Sequence, residues 1–177
     1  MTRCKSNRYC VYASIFEKFT DALVRQGETF SVGDGSKAGI SCGPLQNDIQ
    51  YTRVKTFFDD IEKQGWKVAT GGRIEPSSGY MVTPTIIGRP PDNSRIVVGE
   101  PFGPIVSLLS WDDEAEVVER ADNTSMGLGA STWTADLDRA ARVARQIQAG
   151  TVWTHDHFSL GPTAPSSCHK ESGVRVE

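Results

Sequence analysis

Several things are missing from this sequence, and each absence excludes a class of protein. No apolar run approaches the ~20 residues that a membrane-spanning helix requires. There is no basic surplus: 19 Lys and Arg face 22 Asp and Glu, for a net charge of -3. The two signs are mixed along the chain, so neither a basic stripe for nucleic acid nor a polybasic arm for anionic lipid is present, and neither partner is expected. Cysteine is scarce. The four cysteines, Cys4, Cys10, Cys42 and Cys168, form no close CxxC pair, and read as free thiols of a reducing compartment. The segment from Met1 to Cys10 is polar and lacks the apolar core of a signal peptide. Together these absences predict a cytoplasmic protein. No repeat, low-complexity segment or internal linker appears either. The 177 residues therefore read as one domain, long enough to remove roughly 70% of its unfolded surface from water.

What is present is a regular α/β pattern. Ile15, Phe19, Ala22 and Leu23 recur at helical spacing within residues 14–26, with Ser14 and Glu17 placed as a capping box. A second helix is predicted over 47–64 on Ile49, Val54, Phe57, Phe58 and Ile61, with Gly65 placed to stop it. Residues 67–70 read as a short strand ended by Gly71-Gly72. Residues 81–87 read as an extended run in which Pro84 hints at an edge or a bulge. Then come a nearly continuous apolar strand over 105–109, a helix over 112–121 with acids in its first turn, and a small-residue strand over 128–133. A helix over 135–147 follows, capped by Thr134 and striped by Leu137, Ala140, Ala144 and Ile147. The last strand covers 150–153. Short connections between alternating strands and helices predict a three-layer α/β fold with a parallel sheet buried on both faces.

The most specific local motif is Glu100-Pro101-Phe102-Gly103-Pro104, directly ahead of the strand that begins at Ile105. Gly-Pro makes a rigid turn. A carboxylate held at a strand mouth can accept hydrogen bonds from a diol such as a ribose, and a phenyl ring there can face a flat heteroaromatic ring. The plain alternative is a loop with an exposed Glu and a core Phe. His155, His157 and the pair Cys168-His169 are metal-ligand types. Their spacing matches no recognised finger, so solvated or hydrogen-bonded histidines are the simpler reading. Arg139, Arg142 and Arg145 read as a solvated helix face, and Trp66, Trp111, Trp133 and Trp153 as core or edge aromatics.

In order and spacing, these pieces resemble the aldehyde dehydrogenase superfamily. The resemblance runs from Arg8, Val11 and Ser14-Ile15-Phe16 through Gly43-Pro44-Leu45, Gly71-Gly72 and Gly79-Tyr80-Met81-Val82-x-Pro84-Thr85 to Glu100-x-Phe102-Gly103-Pro104. It continues through Gly127-Leu128-Gly129-Ala130, Thr132-Trp133-Thr134, Asp136-Leu137, Gly150-Thr151-Val152-Trp153 and Lys170-Glu171-Ser172-Gly173. It implies the fold of that family's catalytic domain over residues 1–177 and an NAD(P)-dependent oxidation of an aldehyde to a carboxylate. In that reaction a cysteine thiolate attacks the aldehyde, hydride leaves the thiohemiacetal for the cofactor, and a Glu-activated water hydrolyses the thioester. It further implies that Glu100 holds the nicotinamide ribose hydroxyls and that Phe102 packs beside the nicotinamide of NAD or NADP.

The departures bear on activity. The family nucleophile sits in Gly-Gln-x-Cys, and counting from Arg8 places it on Arg3; Cys4, one position away, is the candidate thiol, with a surface or half-buried cysteine as the alternative. Pro165-Ser166-Ser167-Cys168-His169 replaces the family's Pro-Phe-Gly-Gly, so Ser166 stands where a substrate-lining ring belongs. His155 replaces a frequent Asn, and the last residues read Gly173-Val174-Arg175-Val176-Glu177. No Rossmann-type glycine fingerprint follows a strand. The family's cofactor-binding domain, general-base Glu and oxyanion-stabilising Asn precede the nucleophile, and its subunit-joining strand follows the last residue here. The expectation is a catalytic domain incomplete at both ends that does not turn over alone. Two other readings stay open. One is a non-catalytic remnant that pairs, as a homo- or hetero-oligomer, with full-length family members. The other is a small metal-binding protein.

Overall fold

A computed structural model describes residues 7–74, 79–159, 161 and 167–174. The chain divides into two compact units, and each is built around its own strands.

The first unit covers Asn7–Asp112. Its strands are β1 (Arg8–Tyr12), β2 (Lys67–Thr70), β3 (Thr85–Gly88) and β4 (Ile105–Trp111), and its helices are α1 (Phe16–Glu28), α2 (Asp48–Gln64) and the short α3 (Arg95–Val98). The sheet order is β1-β4-β3-β2. β1 and β3 both run parallel to β4, with Arg8 opposite Ser107 and Thr85 opposite Ile105, while β2 is antiparallel to β3. The expected parallel sheet is therefore mixed. The layering is as expected. Side chains alternate along β3 and β4, so Ile87, Ile105 and Leu109 pack with Val54, Phe57, Phe58 and Ile61 of α2 and with Ile96 and Val97 of α3. Ile86 and Leu108 pack on the other face with Val11 and Phe16, with Phe19, Leu23 and Val24 of α1 against them. Each such aliphatic side chain, fully buried, contributes about 1.5–3 kcal/mol.

Several expectations change for identifiable reasons. Val54, Phe57, Phe58 and Ile61 make the i, i+3, i+4, i+7 stripe of α2. Ile49, five residues earlier, is rotated about 140° from Val54 and is 81% exposed. Asn47 caps α2 by accepting from the Gln50 amide at 2.9 Å, and Gly65 ends it in the left-handed conformation at φ 64°. Ser14 is not a cap: a 3-10 turn over Ala13–Ile15 leads into α1, which has no side-chain cap. Glu17, assigned to the capping box, instead receives the Arg89 guanidinium at 2.7 Å, and Arg89 also lies 3.8 Å above the Phe16 ring. That charge-assisted contact lowers the Glu17 carboxyl pKa. Pro84 does not mark an edge. It precedes β3, so no ladder N–H is lost; β3 is an inner strand, and the irregularity falls on β2 between Val68 and Thr70.

The second unit holds the described residues from Asp113 onward: α4 (Glu114–Asp122), β5 (Met126–Gly127), β6 (Gly129–Thr132), α5 (Leu137–Ala144), β7 (Thr151–Thr154) and β8 (His169–Lys170). β6 runs parallel to β7, with Gly129 opposite Thr151, and β5 is antiparallel to β8. The strand expected over 128–133 is β6, shorter by one residue at each end, and Leu128 separates it from β5. Asp136, not Thr134, caps α5, accepting from the Arg139 amide at 3.0 Å. Of the expected stripe, Ala140 is buried and Leu137 is 67% exposed. Arg139 and Arg142 are exposed but not merely solvated. Both donate to Glu114, at 2.6 Å and 2.8 Å, and hold its carboxyl below the usual carboxylate range, Arg142 most strongly. Among the described residues no helix is long and apolar enough to cross a membrane.

Three substitutions grade this core in one urea-unfolding series. Ile87→Ala removes a side chain with no exposed surface and is expected to cost about 2–5 kcal/mol. Ile49→Ala is expected to stay within about 0.5 kcal/mol. Ser107→Ala deletes a buried hydroxyl that has no hydrogen-bond partner among the described residues, and is expected to leave stability unchanged or raise it by about 1 kcal/mol.

Candidate cofactor-facing site

The motif Glu100 to Pro104 forms the loop between α3 and β4. It is fixed from below by α2. Gln50, Arg53, Val54 and Phe57 share one face of that helix at i, i+3, i+4 and i+7, and all four reach the segment Gly99 to Gly103. The Gln50 side-chain amide donates to the Pro101 carbonyl at 3.1 Å and to the Phe102 carbonyl at 3.0 Å. The Arg53 guanidinium lies 5.9 Å from the Phe102 ring centre. Val54 packs on Gly103 so closely that an added methyl group would stand 2.8 Å from its Cγ2, and Phe57 lies beside Gly99. The Pro104 carbonyl accepts from the Thr85 amide at 2.8 Å, tying the loop to the start of β3.

This scaffold sets the two motif side chains. Pro101 is buried and Phe102 is 43% exposed, with its backbone in the left-handed region at φ 52°. Glu100 is half-buried, and one of its carboxylate oxygens accepts from the Asn7 side-chain amide at 3.4 Å. The plain expectation for this motif, an exposed Glu and a core Phe, is therefore reversed: the carboxylate is partly enclosed and the ring stands out. Both lie at the entry to β4, beside the entry to β1, where Ser107 N–H donates to the Asn7 carbonyl at 3.1 Å. A half-enclosed carboxylate with an aromatic face two residues on fits a polyol attached to a flat ring, which is the chemistry of a nicotinamide riboside.

Asn7, Gln50 and Arg53 were not visible as site residues in the sequence. No periodicity or motif marks them, and they reach the loop across 93, 51 and 49 residues of chain respectively. Cys4, Arg3 and Ser166 lie outside the described residues. His155 and His157 do not form a metal cluster with their neighbours. His155 Nε2 donates to the Thr134 carbonyl at 2.6 Å, and His157 Nδ1 lies 2.7 Å from Ser131 Oγ. Among the described residues no group of three or more His, Cys, Asp or Glu is placed to hold a metal ion. His155 has φ 55°, a conformation in which Asn is also enriched. A groove of about 580 Å³ lies towards the other end of α2, lined in part by Phe58, Trp66, Val68 and Ile74; it includes none of the candidate residues.

The fold and this loop define a class first: a layered α/β protein with a carboxylate and a ring presented at the mouth of parallel strands. Residues 3–177 match the model of the aldehyde dehydrogenase family. The chain belongs to that family. It is 36% identical to 4-trimethylaminobutyraldehyde dehydrogenase of Homo sapiens over 98% of its own length and 36% of that protein. It is 35% identical to a mitochondrial aldehyde dehydrogenase of Leishmania tarentolae over 97% and 34%. Among solved structures, the NAD+ complex of an aldehyde dehydrogenase from Bacillus cereus superposes with a TM-score of 0.91 at 36% identity, over 96% of this chain and 35% of that one. Betaine aldehyde dehydrogenase from Staphylococcus aureus in complex with NAD+ gives 0.88 at 29% identity, over 95% and 34%. The chain thus spans about a third of the length of the relatives it matches.

The close approach at Gly103 makes the loop sensitive to a single carbon. Gly103→Ala is expected to cost about 1–3 kcal/mol through overpacking against Val54, whereas Gly35→Ala, which meets nothing within 4 Å, is expected to be near neutral. Urea midpoints measured side by side check the difference.

Proposed function

We propose that this chain supplies the nicotinamide-side contacts of an NAD(P)-dependent aldehyde dehydrogenase, the activity by which a small-molecule aldehyde becomes a carboxylate. The observation that carries the reading is the loop itself: a half-buried carboxylate and a protruding phenyl ring, two residues apart, held rigidly by α2. Glu100 accepts hydrogen bonds from the ribose hydroxyls. Asn7 donates to one of its oxygens. Phe102 offers its face to the nicotinamide and shields it from water. Bound NAD or NADP supplies the hydride acceptor. Cys4, three positions before Asn7 in the sequence, is the candidate thiol for attack on the aldehyde. Two of the matched structures are NAD+ complexes of related proteins, which supports the choice of cofactor class. The cytoplasm is the proposed location.

A second reading is an interaction module that pairs with longer members of the family. The exposure of Trp133 at 65% and of Leu137 at 67% in the second unit favours it, because both are large apolar side chains that a partner could cover.

Nicotinamide mononucleotide carries only the half of the cofactor that Glu100 and Phe102 would read. Titrated into the protein and followed by amide chemical shifts, it is expected to move Glu100, Phe102 and Gly103. Glu100→Ala is expected to weaken binding roughly tenfold or more, since hydrogen bonds to a charged group contribute about 1.5–3 kcal/mol. Shifts confined to other surfaces, or equal affinity of the variant, would remove the cofactor role.

A further inference from the structure

We infer that Gln50 is a positioning residue for the cofactor-facing pair: its side-chain amide, spanning two successive carbonyls, holds Phe102 in its left-handed conformation and thereby sets where the ring and Glu100 stand. The inference rests on the reading of Glu100 and Phe102 as nicotinamide-side contacts. Three observations support it. Gln50 is itself immobilised, because its backbone N–H is the group that the Asn47 cap accepts at 2.9 Å. Its amide nitrogen, which carries two hydrogens, donates to both the Pro101 carbonyl at 3.1 Å and the Phe102 carbonyl at 3.0 Å. The residue it holds needs holding, since a phenylalanine at φ 52° sits in a well that non-glycine residues seldom occupy and that persists only when its surroundings over-determine it.

The division of labour along the helix face sharpens the point. Val54 and Phe57 press on the glycines at either end of the loop and fix its depth. They make no hydrogen bond to its carbonyls. Gln50 donates from α2 to the loop backbone. A methionine there would keep the length and volume of the side chain while removing both donors. Depth would survive and peptide orientation would not. The Phe102 carbonyl fixes the plane that follows the ring, so its release frees the ring direction without unfolding the core. Arg53, one turn further on, lies over the ring at 5.9 Å from its centre, so its contact is with the ring and not with the peptide.

The test compares the wild-type chain, Gln50→Met, Phe102→Ala and the double variant with nicotinamide mononucleotide as the probe. Gln50→Met is expected to weaken binding about fivefold, the loss of one or two ordinary hydrogen bonds. Its melting temperature should stay within a few degrees of wild type, a stability change under about 1 kcal/mol. In the Phe102→Ala background the same substitution should change affinity less than about twofold, because the group through which it acts is gone. Equal affinity of Gln50→Met and wild type, or an undiminished loss in the Phe102→Ala background, overturns the inference. Absence of binding by the wild-type chain instead counts against the reading of Glu100 and Phe102. In that case the backbone order parameters of Phe102 and Gly103 decide the positioning role without ligand: a fall confined to these residues in Gln50→Met supports it, and unchanged values overturn it.

Discussion

The contact between one face of α2 and the loop ahead of β4 is the constraint on which the arrangement rests. Val54 can touch Gly103 only because that residue has no side chain. With that approach allowed, Gln50 reaches the loop carbonyls and Phe57 lies beside Gly99. The same helix face buries Val54, Phe57 and Ile61 with Ile87, Ile105 and Leu109 of the sheet. One helix therefore joins the hydrophobic core to the candidate site, and the depth of packing below sets the position of the side chains above. Arg95 reinforces the link, lying 4.1 Å over the Phe57 ring while pairing with Asp60 at 2.6 Å.

Much of this was legible in the residues, and the rest was not for physical reasons. α2 is carried by a local period of 3.6 with a cap at one end and a left-handed glycine at the other, so its extent could be read directly. β4 and the Glu100–Phe102 motif were equally plain. What failed were choices between local and distant partners. Ser14 and Glu17 have the spacing of a capping box, but Arg89 competes for the same carboxylate from far along the chain and prevails. Thr134 and Asp136 are both good caps, and only the turn geometry selects Asp136. Ile49 belongs to the apolar set by type and not by angle. Asn7, Gln50 and Arg53 are ordinary polar residues until folding brings them to the loop, and no pattern within their own segments announces that.

The segment that carries the candidate site lies inside the part of the chain that the family model matches. The family match and the superpositions cover nearly the whole of this chain but about a third of each relative, and the part covered contains the loop between α3 and β4. Within it, regular elements carry the side chains of the candidate site: strand mouths hold Glu100 and Asn7, and a 17-residue helix packs beneath Phe102. A site mounted this way keeps its geometry when no ligand is there to shape it.

The left-handed backbone at Phe102 has a consequence for how this segment can vary. A residue with a β-carbon in that conformation is disfavoured by about 1–3 kcal/mol relative to one that tolerates it, and glycine is the residue that tolerates it. Drift governed by thermostability alone would therefore move position 102 towards glycine and erase the aromatic surface. A phenyl ring at this point is a standing debt of the folded chain, and the segment is one in which gains in robustness and gains in recognition pull in opposite directions.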